Sequence, residues 1–120
     1  MKVEDRLLKY VSFWTTSDDT NQNIPSSDRE FTLAKELEKE LKDMGLEKVI
    51  LTDHCYVYAL LPATEGMEEK DAIGFIAHID TAPDFSGKDV KPQIIENYNG
   101  YGAGYRYGIF SYEVVSRTSG

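Results

Sequence analysis

An α/β fold is predicted for this chain of 120 residues, and three observations predict it. Two early stretches space their apolar residues at intervals of three and four, as helices that bury one face do. From Lys48 onward the interval shortens and β-prone residues dominate. The run "AIGFIAHI", residues 72–79, is apolar on both faces, as strands inside parallel sheets tend to be. Helix, loop, helix and then three strands is the order in which an α/β layer fold opens.

The elements follow in turn. In "VEDRLLKYVSFW" the residues Val3, Leu7, Leu8, Val11 and Trp14 share one face, which predicts a helix over 3–14. "TTSDDTNQNIPSSD" is rich in turn formers and is expected as a surface loop. Ser27 suits a helix N-cap, and Glu30 three residues on completes a capping-box pattern. Phe31, Ala34, Leu37, Leu41 and Met44 then line a helix expected over 28–44, and Gly45 supplies its left-handed stop. "KVILT" and "YVYALLP" predict strands over 47–52 and 55–61, a hairpin or two neighbouring strands around Asp53 and His54. "ATEGMEEKD" is a polar connection to the strand over 72–79, and "QIIENYNG" is one more short strand or an extended loop.

Composition narrows the function classes. Hydrophobic residues make up 41% of the chain, enough for a core, and the net charge is −8. With a sequence pI near 4.7, the field of the protein repels polyanions, so neither nucleic acid nor an anionic membrane is an expected partner. No apolar run approaches a membrane span and no signal-type region follows the first residues. The one cysteine, Cys55, reads as a small core thiol in a reducing compartment. The expected location is the cytoplasm.

One pattern carries chemistry. His78-Ile79-Asp80 ends the apolar run where a loop begins, and the carboxyl ends of strands are where open α/β sheets bind ligands. Residues two apart on a strand share a face, so His78 and Asp80 are expected side by side. An imidazole is a good zinc ligand, and a neighbouring carboxylate commonly orients such a histidine. The motif is only three residues long, and a histidine that simply caps a strand end has the same spelling. His54 and Cys55 at the hairpin turn, Asp84 and Asp89 around Gly87, and Lys88 are weaker candidates, expected to serve turn and surface roles.

The longer stretch "FIAHIDTAPDFSGKDVKPQIIENYNG" closely resembles the peptidase T family, the tripeptide aminopeptidases among the two-zinc exopeptidases. Upstream, "LLKYVSFWTTSDD", "SSDREFTLAKELEKELKDMGL" and "YVYALLPAT" resemble the opening of that family in the same order. The resemblance covers about residues 1–100. It implies the N-terminal part of a zinc-exopeptidase catalytic domain, with an incomplete, mostly parallel sheet and flanking helices. It implies release of the N-terminal residue from tripeptides, two zinc ions per active site, and a homodimer formed through a domain absent from this chain. Carried over by position, His78 matches a zinc ligand and Asp80 the catalytic aspartate that orients it. The family's remaining metal ligands and its glutamate general base fall outside the matched part.

After Asn99-Gly100 the resemblance ends, and residues 101–120 form an unrelated tail. Read from the second base of degenerate codons, Gly100 onward permits Asp-Met-Val-Leu-Gly-Thr-Gly-Met-Val-Phe-Ser-Pro-Met-Lys, which looks like the family's continuation. A reading-frame shift is therefore the expectation, with a natively short, divergent tail as the alternative. Two functional readings follow: a truncated N-terminal portion of a zinc tripeptide aminopeptidase, or a non-catalytic α/β fragment that serves, if at all, in protein interaction. The 120 residues alone are expected to be inactive, and the tail to pack poorly.

Overall fold

The structure, a computed structural model, describes residues 1–95 and 113–115. The chain divides into two compact units, Thr15–Ser86 and Met1–Trp14 with Gly87–Gly120. Among the described residues no helix is long and apolar enough to cross a membrane.

In the larger unit, helix α2 runs over Glu30–Asp43. It begins two residues later than the cap pattern suggests, because Ser27 is otherwise engaged. The Ser27 hydroxyl accepts from Arg29 Nε, and its carbonyl accepts the Glu30 N–H at 3.2 Å. Only half of the expected capping box forms, with the Glu30 carboxylate accepting from the Ser27 backbone N–H, and the N-cap side chain makes no cap bond. Its other end forms as expected. Gly45 sits at φ +82, and its N–H donates to Lys42 O at 2.9 Å while the Leu46 N–H reaches Leu41 O at 3.1 Å. Those two bonds satisfy carbonyls that a helix end otherwise leaves open, and the left-handed backbone between them suits a residue without Cβ. Two i,i+4 ion pairs, Lys39–Asp43 at 2.5 Å and Lys42–Glu38 at 2.6 Å, lie on the solvated side.

Strands β1 (Glu47–Leu51) and β2 (Val57–Leu60) form a hairpin, one of the two arrangements expected. They pair antiparallel, with Ile50 opposite Tyr58 and Leu51 opposite Val57. The register shifts between Glu47 and Ile50, where Lys48 takes φ +49, the backbone signature of an extra residue accommodated in one strand. The turn between the strands closes through Thr52: its N–H donates to Tyr56 O at 2.9 Å, and its hydroxyl accepts the Tyr56 N–H at 3.1 Å. The core of this unit is Leu33, Ala34 and Cys55. Leu33 lies beside the expected stripe rather than on it, so the buried face of α2 is wider than a single line.

Residues 72–79 correct the reading of their sequence. No strand forms there, and Phe75 is 93% exposed. A segment apolar on both faces becomes a strand only when neighbouring strands satisfy its backbone and other layers cover its two sides, and the described residues bring neither to it. Order resumes at Thr81, which bridges Thr16 in the parallel sense.

The second unit begins with helix α1, Val3–Tyr10, shorter than the expected 3–14. The Lys9 carbonyl, needed to continue the helix, accepts the Ser12 N–H at 3.2 Å and the Ser12 hydroxyl at 2.6 Å. Serine hydroxyls compete for helix carbonyls in this way, and the helix tightens and stops. Strand β3 (Gln93–Ile95) forms where a short strand or loop was expected, and pairs in parallel with β4 (Glu113–Val115). The expectation of a loosely packed tail falls mainly on residues such as Tyr105, Tyr107 and Phe110, which lie outside the described residues.

Candidate functional site

His78 and Asp80 meet, although the strand expected to align them is missing. His78 Nδ1 stands 3.0 Å from Asp80 Oδ1 and 2.9 Å from the Asp80 carbonyl oxygen. A carbonyl oxygen only accepts, and so does a carboxylate. Nδ1 is therefore the donor to both, which fixes the tautomer and leaves the Nε2 lone pair for a ligand. The imidazole is 83% exposed, while the Asp80 carboxylate is 39% exposed. This donor set suits one ligand of a zinc site, a histidine oriented through its second nitrogen by a carboxylate. Among the described residues no group of three or more His, Cys, Asp and Glu side chains converges as a metal cage.

Behind the pair lies a residue that sequence reasoning assigned only to a cap. Glu30 is buried, and burial pushes its carboxyl pKa up, with the Asp80 charge adding to the rise. Hydrogen bonds from Ser26 and Ser27, together with the Arg29 guanidinium, pull in the other direction. A negative charge nearby further disfavours ionisation of a carboxyl that burial already keeps from water. Cys55 is buried too, and its thiol pKa is raised by burial first and by the Glu30 charge second. Nothing in one sequence distinguishes such a glutamate from a capping residue, since Ser-x-x-Glu spells both.

The weaker candidates separate. His54 pairs with its neighbour Asp53 at 2.8 Å on the exposed hairpin turn. Lys88 Nζ sits over the Trp14 ring, 5.4 Å from its centroid, a cation–π arrangement rather than an anion site. Asp89 adopts φ +56, in keeping with a turn.

A histidine–carboxylate pair on an α/β scaffold defines a broad class, hydrolases and metal-binding proteins included. Comparison with known proteins narrows it. The chain is 52% identical over 99 residues to peptidase T of Caldanaerobacter subterraneus subsp. tengcongensis, covering 82% of this chain and 24% of that protein. It is 53% identical over 96 residues to peptidase T of Shewanella pealeana, covering 80% of this chain and 23% of that protein. It is 52% identical over 99 residues to peptidase T of Clostridium novyi, with coverage of 82% and 24%. No protein-family model matches. Over the aligned part the chain belongs to the peptidase T family, and it spans about a quarter of the length of these relatives.

Proposed function

We propose that this chain is the N-terminal portion of a zinc-dependent aminopeptidase that releases the N-terminal residue of tripeptides. The observation that carries the reading is the His78–Asp80 contact, an imidazole whose Nδ1 is held at 3.0 Å by a carboxylate, within a sequence half identical to peptidase T. In this reading the chain contributes strands to a mostly parallel sheet that longer relatives complete. His78 is a metal ligand through Nε2, and Asp80 is the catalytic aspartate that keeps Nδ1 protonated and the ring oriented. Zinc, when bound, supplies Lewis-acid polarisation of a peptide carbonyl and acidification of a water molecule. The carboxylate of Asp80, bonded to Nδ1, leaves Nε2 as the nitrogen for that ligand position. It also stabilises positive character that develops on the imidazole when electron density is drawn through Nε2. The same proposal includes tripeptide substrates, a homodimer and a cytoplasmic setting.

The experiment is metal content beside tripeptide hydrolysis, on the 120-residue chain and on a polypeptide that continues it to the length of its relatives. The longer polypeptide is expected to bind zinc stoichiometrically and turn over tripeptides. The shorter chain is expected to show no turnover above a blank, because the described residues bring no third ligating side chain to His78 and Asp80. A longer polypeptide that binds zinc fully but cleaves no tripeptide overturns the assignment. For the 120 residues alone the alternative is a non-catalytic fragment, and that same missing third side chain favours it.

A further inference from the structure

The residue after the His78–Asp80 pair is held by four hydrogen bonds to one short segment. The Thr81 N–H donates to Thr15 O at 3.1 Å, and Thr81 O accepts the Ser17 N–H at 3.0 Å. Thr81 O also accepts the Ser17 hydroxyl at 3.1 Å. The hydroxyls of Thr16 and Thr81 stand 3.2 Å apart. Thr15 and Thr16 are 4% and 7% exposed, which is unusual for loop residues in a unit with so few buried side chains. The segment is itself anchored. The Asp18 N–H donates to Ser26 Oγ at 2.9 Å, the Asn21 amide donates to Ser26 O at 2.8 Å, and the Ser26 hydroxyl donates to the Glu30 carboxylate at 3.4 Å.

Peptide planarity links this strap to the imidazole. The Thr81 N–H and the Asp80 carbonyl belong to one peptide group, whose six atoms are coplanar. Fixing the N–H against Thr15 O therefore fixes the opposite direction of the Asp80 carbonyl, and that carbonyl accepts from His78 Nδ1 at 2.9 Å. We propose that the strap Thr15–Ser17 is the positioning element of the His78–Asp80 pair, with the Thr16–Thr81 hydroxyl contact as its lock. The strap sets the Asp80 peptide plane, the plane aims the Asp80 carbonyl at Nδ1, and that acceptor favours the proton on Nδ1. The geometric part stands on the bonds given above, and the consequence for zinc rests on the function proposed for His78.

The test uses nitrogen-15 NMR of the two histidines, recorded at a pH above which their signals no longer change. The wild-type His78 signal is expected as the Nδ1–H tautomer. Thr16→Val keeps the volume and removes the hydroxyl, and is expected to shift the His78 tautomer ratio roughly fivefold toward Nε2–H, the scale of one lost hydrogen bond. Thr16→Ser keeps the hydroxyl and is expected to leave the ratio at its wild-type value. His54, bonded to Asp53 on the hairpin turn, serves as the internal reference and should not move. Thr81→Val approaches the same contact from the other side, so the double variant should shift no further than either single one. It also serves if Thr16→Val fails to fold. An unchanged His78 ratio in every folded valine variant overturns the strap, and so does a Thr16→Ser shift as large as that of Thr16→Val. In the longer polypeptide, Thr16→Val should weaken zinc binding severalfold. Unchanged zinc affinity alongside a loosened His78 leaves the strap standing and overturns the metal role of His78.

Discussion

His54 and His78 are the only two histidines of the chain, and each sets Nδ1 against an aspartate oxygen, at 2.8 Å from Asp53 and 3.0 Å from Asp80. Distance does not separate them; what stands behind each aspartate does. The Asp53 side chain is 89% exposed and belongs to a tight turn that closes through Thr52 and Tyr56 without it. The Asp80 peptide is bonded on its far side to a buried strap, and the buried Glu30 carboxyl lies within reach of its charge. An exposed ion pair gains little because water competes for both partners. A pair whose acceptor is fixed by other groups keeps its geometry when the imidazole changes ligand. The difference predicts that the two pairs respond unequally to every perturbation below.

The largest contrast is expected from removing each imidazole in the longer polypeptide. On the proposed function, His78→Ala should lower zinc per chain and bring tripeptide hydrolysis down toward the blank, because that reading makes His78 a protein ligand to the metal. His54→Ala should leave both at wild-type values. Metal analysis beside kcat checks this, and full zinc occupancy with full rate in His78→Ala removes the basis of the comparison.

Exchanging the aspartates sharpens it. Asp80→Asn preserves shape and deletes the charge that favours a protonated Nδ1, so zinc should largely remain while affinity or rate falls about 10–100-fold. Asp53→Asn should change neither. Wild-type kcat in Asp80→Asn would mean that the carboxylate only decorates the histidine.

Most of the elements and the His78–Asp80 pairing were legible in the sequence, and what separates the two aspartates was not, for identifiable causes. The hairpin and α2 were readable because their apolar periods and the Gly45 stop act within a few residues. His78 and Asp80 were paired by a strand rule, and they meet through a local turn-back of the imidazole onto Asp80 instead. Residues 72–79 misled because a two-faced apolar strand takes its order from neighbours far away in sequence. The burial of Thr15 and Thr16 was hidden for a related reason: in "TTSDDT" they look like loop formers, and their partner Thr81 lies 65 residues on from Thr16. Glu30 was absorbed by a capping pattern, so its place behind Asp80 had no signature of its own.

A smaller effect separates the surroundings of the two pairs. The raised pKa of Glu30 means that the folded chain holds its proton more tightly than the unfolded chain does. The stability this contributes is fully present below the ordinary glutamate value, 4.5, and is lost as pH rises through the raised folded value. Glu30→Gln, which cannot ionise and still accepts from Ser26, should match the wild type at low pH and gain on it toward neutrality. The urea midpoint across pH 4 to 8 measures this. Parallel profiles for the two proteins would mean that Glu30 carries no penalty from burial or from Asp80.

The smallest effect is expected where the comparison needs it to be small, on the His54 turn. Asp53 and His54 are both exposed, and His54 adds only an offset stack on Tyr56, with ring centroids 6.3 Å apart. Exposed ion pairs are worth about 0–1 kcal/mol, and salt screens them further. A double-mutant cycle of Asp53→Ala and His54→Ala should give a coupling below about 0.5 kcal/mol at low ionic strength, fading in 1 M NaCl. By contrast, Thr52→Val deletes the hydroxyl that accepts the Tyr56 N–H and should cost about 0.5–1.5 kcal/mol, because that bond holds the turn closed. A coupling between Asp53 and His54 well above 1 kcal/mol, persisting in salt, would mean that the turn pair is also built from behind. The contrast with His78 would then lose its physical basis.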